Sequence, residues 1–118
     1  MITTANAASV LGRWLNTNRD TRGIAECVVA QDEHGITVDI TGVNENWPTV
    51  RATVLANLEE EAGQRTVALL ATFDLDSAVA ETHIRVNKGV LVIVLYVTWH
   101  DDSGRSNYLN REFFYRSE

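Results

Sequence analysis

The sequence predicts an all-β fold, an eight-stranded antiparallel up-and-down β-barrel. Three observations lead there. Short runs of alternating or β-branched residues recur along the chain between turn clusters, with hardly any helical periodicity. No segment is long enough to form a helix that crosses over a sheet, so neighbouring strands must run antiparallel. The connections are uniformly short, whereas a two-sheet Greek-key sandwich needs at least one long one. Closing such a meander on itself removes both exposed sheet edges.

The elements follow in order. Val10 to Asn16 is the first strand, followed by the polar turn region Asn16–Thr21. Ile24 to Gln31 is the second, closed by Asp32-Glu-His-Gly35, where glycine admits the positive φ of a tight turn. Ile36 to Val43 alternates cleanly, with Ile36, Val38 and Ile40 on one face, until Asn44-Glu-Asn-Trp-Pro48 breaks it. The fourth run, Thr49 to Asn57, puts Val50, Ala52, Val54 and Ala56 on one face. Arg65 to Phe73, Ala78 to Val86 and Val90 to His100 are the next three. Asn87-Lys-Gly89 is a hairpin signal between the last two of these. Asp101-Asp-Ser-Gly-Arg-Ser106 leads into a final strand, Asn107 to Arg116.

Composition bounds the function classes. With 118 residues there is room for one hydrophobic core, so residues 1–118 are expected to form a single domain, residues 1–8 being a flexible lead-in. At 45% hydrophobic the chain is too apolar for disorder. The longest apolar run, Val90 to Trp99, is half the length of a membrane helix, so no membrane partner is expected. The net charge of −6 argues against nucleic acid, which requires a cationic surface. Cys27 is alone, which excludes an internal disulfide and a multi-cysteine zinc site. The first nine residues carry no basic stretch followed by an apolar core, so a cytoplasmic protein is expected.

The opening Gly12-Arg-Trp-Leu-Asn16 resembles the Gly-x-Trp signature of the calycin-type barrels, the lipocalins, fatty-acid-binding proteins and avidins. The resemblance implies that Trp14 plugs the closed end of the barrel beneath an arginine of the last strand. Arg116 is the residue placed to do so, with Arg111 as the fallback partner. Gly12-x-Trp-x-Asn-Thr17 together with Ser103-Gly-Arg-Ser-Asn-Tyr108 is also similar to a group of small bacterial lipocalin-like proteins without a settled activity. Streptavidin-like biotin sites draw on several late tryptophans and a Ser/Asn/Tyr set. Only Trp47 and Trp99 are available here, without matching motifs.

Candidate chemistry is sparse. In the run Ala78–Val86, Glu81, His83 and Arg85 share one face and Ala80, Thr82, Ile84 and Val86 the other. Two orientations follow. In one, the charges face solvent over an apolar interior. In the other, they line the barrel cavity, and Glu81 with His83 forms a candidate acid–base pair. Val90 to Trp99 is apolar on both faces, so its outward row is expected to lie in a homo-oligomer interface. The histidines are too scattered for a metal site, and no phosphate-cradling loop or nucleophile elbow is present. Neither a metal nor a cofactor is therefore expected.

The aromatics concentrate late in the chain. Trp47, Phe73, Tyr96, Trp99, Tyr108 and Phe114, with Glu112, are the residues expected to line a cavity for a hydrophobic small molecule. An alternative use of the same barrel is a cofactor-independent cyclase or isomerase of natural-product biosynthesis. Such an enzyme works by holding a flexible substrate in a reactive geometry and leaves no motif. Glu26, Glu81, His83, Tyr96, Tyr108 and Glu112 would then serve proton transfer or hydrogen bonding.

Overall fold

The computed structural model describes residues 8–59 and 65–117. The expected flexible lead-in therefore lies, apart from Ala8, outside the described residues. Among the described residues nine strands form: β1 (Gly12–Asn16), β2 (Ile24–Asp32), β3 (Gly35–Gly42), β4 (Val50–Arg51), β5 (Thr53–Glu59), β6 (Arg65–Leu75), β7 (Ala78–Asn87), β8 (Val90–Trp99) and β9 (Tyr108–Arg116). All pairings are antiparallel, in the order β4-β3-β2-β1-β9-β8-β7-β6-β5.

The ends of that order are the two halves of the run read from sequence as one fourth strand. β4 and β5 are separated only by Ala52, so the sheet curls round until its first and last strands meet there. The result is a nearly closed antiparallel barrel with its seam in this divided strand. The ladder to β3 ends where the Ala52 amide donates to the Ile36 carbonyl, at 2.8 Å. From Thr53 onward the chain pairs with β6 instead, through Thr53–Leu70 and Val54–Leu69, with a register shift before Ala56. Pro48 stands at the foot of the strand, where a missing N–H loses no ladder bond. Nine strands replace the expected eight because one strand has to serve both neighbours.

Period-two alternation decides which side chains fill the barrel. In β7, Ala78, Ala80, Thr82, Ile84 and Val86 are buried, while Glu81 and Arg85 are exposed. The orientation that placed the charged trio inside the barrel is thereby corrected. A carboxylate, an imidazole and a guanidinium inside would each need a compensating partner, whereas the alternate row is apolar except for Thr82. In β8, Leu91, Ile93, Leu95 and Val97 face inward, leaving Val90, Val92, Val94 and Tyr96 on the outside. Trp14, Phe73 and Phe114 are the largest fully buried side chains, packed with Ile24, Ile40 and Leu69. The buried Thr82 hydroxyl donates to the Ala71 carbonyl at 2.8 Å, so this one polar group in the β7 inward row is satisfied.

The two ends of the barrel differ. At one end Trp14 is 1% exposed, and its Nε1 donates to the Val10 carbonyl at 3.0 Å. The Arg116 guanidinium lies 4.3 Å from the centre of the Trp14 ring and donates to the carbonyls of Leu11 and Ser9. Gly12 has φ +128°, and a Cβ there would sit 2.6 Å from Arg116 Nη1. The backbone angle therefore calls for glycine, and a side chain there would also push the guanidinium from its place. The Ser9 hydroxyl reaches across to Thr66 on β6 at 2.6 Å and ties the cap to the far wall.

Candidate functional site

The opposite end, formed by the loop after β1, the β3–β4 and β6–β7 turns and the β8–β9 connection, stays open. Its cleft has a volume of about 280 Å³; Trp47, Trp99, Tyr108, Leu75 and Val97 line it together with the charged Arg22, Glu45, Asp76 and Arg105 and the polar Asn44 and Ser77. Each aromatic is positioned by a local feature of the sequence. Trp47 follows a tight turn in which the Gly42 amide donates to the Glu45 carbonyl at 2.8 Å. A Cβ on Gly42 would stand 3.0 Å from Trp47 Nε1, so glycine lets the indole fold back over the seam. There its ring meets Phe73 edge-on at 5.1 Å, beside the part of β6 that β5 no longer covers.

Trp99 ends β8 and is held from both sides. Its amide donates to Asn107 Oδ1 at 2.9 Å, and its Nε1 donates to the Ser106 carbonyl at 3.1 Å. The Arg105 guanidinium stacks on its ring at 3.6 Å from the centroid. That arginine is fixed in turn by Asp101, at 2.6 Å, and by the Ser103 hydroxyl, at 2.8 Å. The Ser103 hydroxyl also donates to Asp101 at 2.5 Å. This bond, the Ser103 amide and Arg105 together bring the Asp101 carboxyl down to a pKa of about 2. The turn is thus a rigid bracket for an indole and not an open acidic loop. Tyr108, with its ring 6.4 Å from that of Trp99, completes the rim. Partial burial, and then the charge of Glu112, raise the pKa of its phenol, so it stays protonated as a hydrogen-bond donor.

The residues expected from sequence to line one cavity separate into four places. Trp47, Trp99 and Tyr108 gather at the open end. Phe73 and Phe114 are fully buried within the barrel, as core. Tyr96 stands on the outer wall, 41% exposed, because its row of β8 faces away from the core. Glu112 points inward and is 8% exposed, but its carboxylate is engaged by the chain itself. Oε1 accepts from Asn16 Nδ2 at 2.9 Å and from the Thr21 hydroxyl at 2.5 Å, and Oε2 accepts from the Ile24 amide at 3.3 Å. These bonds pin the loop after β1 onto β9. Beside them lies a larger but polar depression of about 540 Å³, in which Asn16 and Asn18 spend their side-chain oxygens on the loop's own amides.

The acid–base pair considered for an enzyme also lies outside. His83 Nε2 is 3.0 Å from Glu81 Oε1, both side chains are about half exposed, and the imidazole meets Tyr96 edge-on at 5.4 Å. Glu26 is paired with Arg13 across β1 and β2. Among the described residues no three His, Cys, Asp or Glu side chains are grouped as metal ligands would be. Arg105 is the site residue that sequence reading missed. Its signal was the Asp-x-Ser-x-Arg spacing of 101–105, which reads as a turn until Trp99 is seen beneath it.

No protein-family model matches the chain, and neither the curated proteins nor the solved structures provide a match. What defines the class is the architecture itself, a nearly closed antiparallel barrel with one end capped and an aromatic cleft at the other.

Proposed function

We propose that this protein is a calycin-like barrel that binds a small aromatic molecule non-covalently at its open end. One observation carries the reading: Trp47, Trp99 and Tyr108 line one cleft at the open end, together with Leu75 and Val97, while Trp14 and Arg116 cap the other end. A volume near 280 Å³ is at the small end of ligand sites, with room for about one bicyclic ring system. The indole faces supply offset or edge-on stacking, worth about 0.5–1.5 kcal/mol per aromatic pair beyond area burial. The protonated Tyr108 phenol supplies one directional contact. Because Phe73, Phe114 and their neighbours occupy the interior, the ligand seats at the mouth and not deep in the barrel. The Gly12-x-Trp14-x-Asn16 opening and the Arg116 stack are further support for a calycin-like relationship.

Calorimetric titration with indole and with naphthalene tests this. Saturable one-to-one binding is expected, and it should weaken at least tenfold in Trp99→Leu and in Trp47→Leu. Absence of saturable binding by either probe, or binding that survives both substitutions, overturns the proposal. The folded state of each variant is checked by its denaturation curve.

A further inference from the structure

The outer wall over β5–β9 carries a second feature, unconnected with the open end. Antiparallel register sets its side chains in rows that cross the strands. One row runs Leu70, His83, Val94, Arg111, and a second runs Arg85, Val92, Phe113. Rows lie about 7 Å apart along the strands and neighbours within a row about 5 Å apart. Arg85 and Arg111 therefore flank the Val92–Val94 strip on opposite sides, one strand away in each direction. Leu55, lifted 48% into solvent where β5 shifts register, forms one wall, and Phe113 forms the other. Between them Ala68, Val92 and Val94 make the floor of a groove of about 480 Å³.

The charges over this apolar floor run against those of the chain. The protein carries a net −6, yet Arg85 and Arg111 both project here. Glu81 is the acidic neighbour on β7, and it is turned to His83. Among the described residues neither Arg85 nor Arg111 has a carboxylate within ion-pair distance, and Arg111 instead lies 5.7 Å from the Phe113 ring centre. Two guanidiniums without carboxylate partners on either side of an apolar trough are complementary to an anionic head on an apolar chain. A planar guanidinium fork matches a carboxylate especially well.

We propose that this groove binds a small amphiphilic carboxylate, with its head held by the two guanidiniums over the Val92–Val94 strip and its hydrocarbon running from there toward Ala68 and Leu55. A second copy of the chain is the competing occupant, since the outward row of β8 is the surface expected from sequence to self-associate. Laying two such strips together would stack four arginines in one dry interface, at a cost that a bound anion reverses. Charge complementarity therefore selects the anion.

The test is calorimetry with octanoate, 1-octanol and octyltrimethylammonium, together with backbone-amide chemical-shift mapping and sedimentation velocity on the same samples. Octanoate is expected to bind the monomer one-to-one and to shift amides of β7, β8 and β9. The neutral alcohol should bind at least tenfold more weakly, and the cation not measurably. Arg85→Gln with Arg111→Gln should abolish the preference for carboxylate over alcohol while leaving the unfolding curve unchanged. Trp99→Leu should leave octanoate binding intact, which separates this site from the one at the open end. Equal affinity for acid and alcohol, unchanged octanoate binding in the double variant, or loss of octanoate binding in Trp99→Leu would each overturn the proposal. So would a stable dimer whose contact covers the groove.

Discussion

Replacing Glu112 by glutamine removes one charge and changes almost no volume, so its cost measures what the carboxylate does. Glu112 is 8% exposed and accepts from Asn16 Nδ2, the Thr21 hydroxyl and the Ile24 amide. A hydrogen bond to a charged group contributes roughly 1.5–3 kcal/mol, against about 0.5–1.5 for a neutral one. The glutamine oxygen can keep the Asn16 and Thr21 bonds, each weakened by about 1 kcal/mol. Its NH2 then faces the Ile24 N–H, donor against donor, which forfeits that long 3.3 Å bond and adds a desolvated amide. The two weakened bonds account for about 2 kcal/mol and the lost contact for about 1–2 more, a loss of about 3–4 kcal/mol. At roughly 4 °C per kcal/mol for a domain of this size, Tm should fall by about 12–16 °C. Urea unfolding followed by tryptophan fluorescence measures the free energy, and an unchanged m-value confirms that the same surface is exposed. A second variant uses the same geometry from the other side. A Cβ on Gly23 would sit 2.7 Å from Glu112 Oε2, so Gly23→Ala should also destabilise, and less than additively with Glu112→Gln. A Glu112→Gln protein within about 0.5 kcal/mol of the parent would refute the reasoning and return Glu112 to the pool of ligand-binding candidates.

Two further expectations come from the capped end and from the core. Arg116→Ala removes the stack on Trp14 and two donors to Leu11 and Ser9, and should cost about 1–2 kcal/mol in the same denaturation assay. Arg116→Lys should recover little of that, because an ammonium cannot stack and bridge both carbonyls; a fully stable lysine variant would show that charge alone matters. Cys27 is buried against Ile40, and burial, then Asp39 and Glu26, push its thiol from 9.0 up to about 12. A raised folded-state pKa stabilises the fold below the unfolded value and loses that contribution as pH rises towards the folded one. Stability should thus decline above pH 9 by up to about 1.4 kcal/mol per pH unit, and Cys27→Ala should remove that part of the slope. Parallel slopes in the two proteins from pH 9 to 11 would reject the assignment.

The strands themselves were readable because period-two alternation is a local property. Ile36, Val38 and Ile40, or Ala80, Thr82 and Ile84, must share a face wherever the strand lies, and all are buried together. The capped end was equally accessible, since sequence order already brings the start of β1 and the end of β9 side by side, and Trp14 pairs directly with Arg116. The candidate cavity was less accessible. Trp47, Phe73, Tyr96, Trp99, Tyr108 and Phe114 were grouped by residue type, but they divide among the mouth, the core and the outer wall. That division follows from strand register and from which end of a strand each residue occupies, and neither is encoded by the identity of an aromatic. Arg105 shows the same gap, because its contact with Trp99 depends on how the 101–105 turn folds back.

By itself the sequence determined an antiparallel all-β chain, the positions of its turns, and the pairs of faces available to each strand. Only the tertiary structure decided which member of each pair faces inward and where the barrel closes. A strand such as β8, apolar on both faces, carries no local preference, and the choice is made by the neighbours that bury Leu91, Ile93, Leu95 and Val97. Closure likewise depends on one run of residues dividing at Ala52 between two partners far apart in sequence. That is a long-range competition for backbone hydrogen bonds, which no window of the sequence contains.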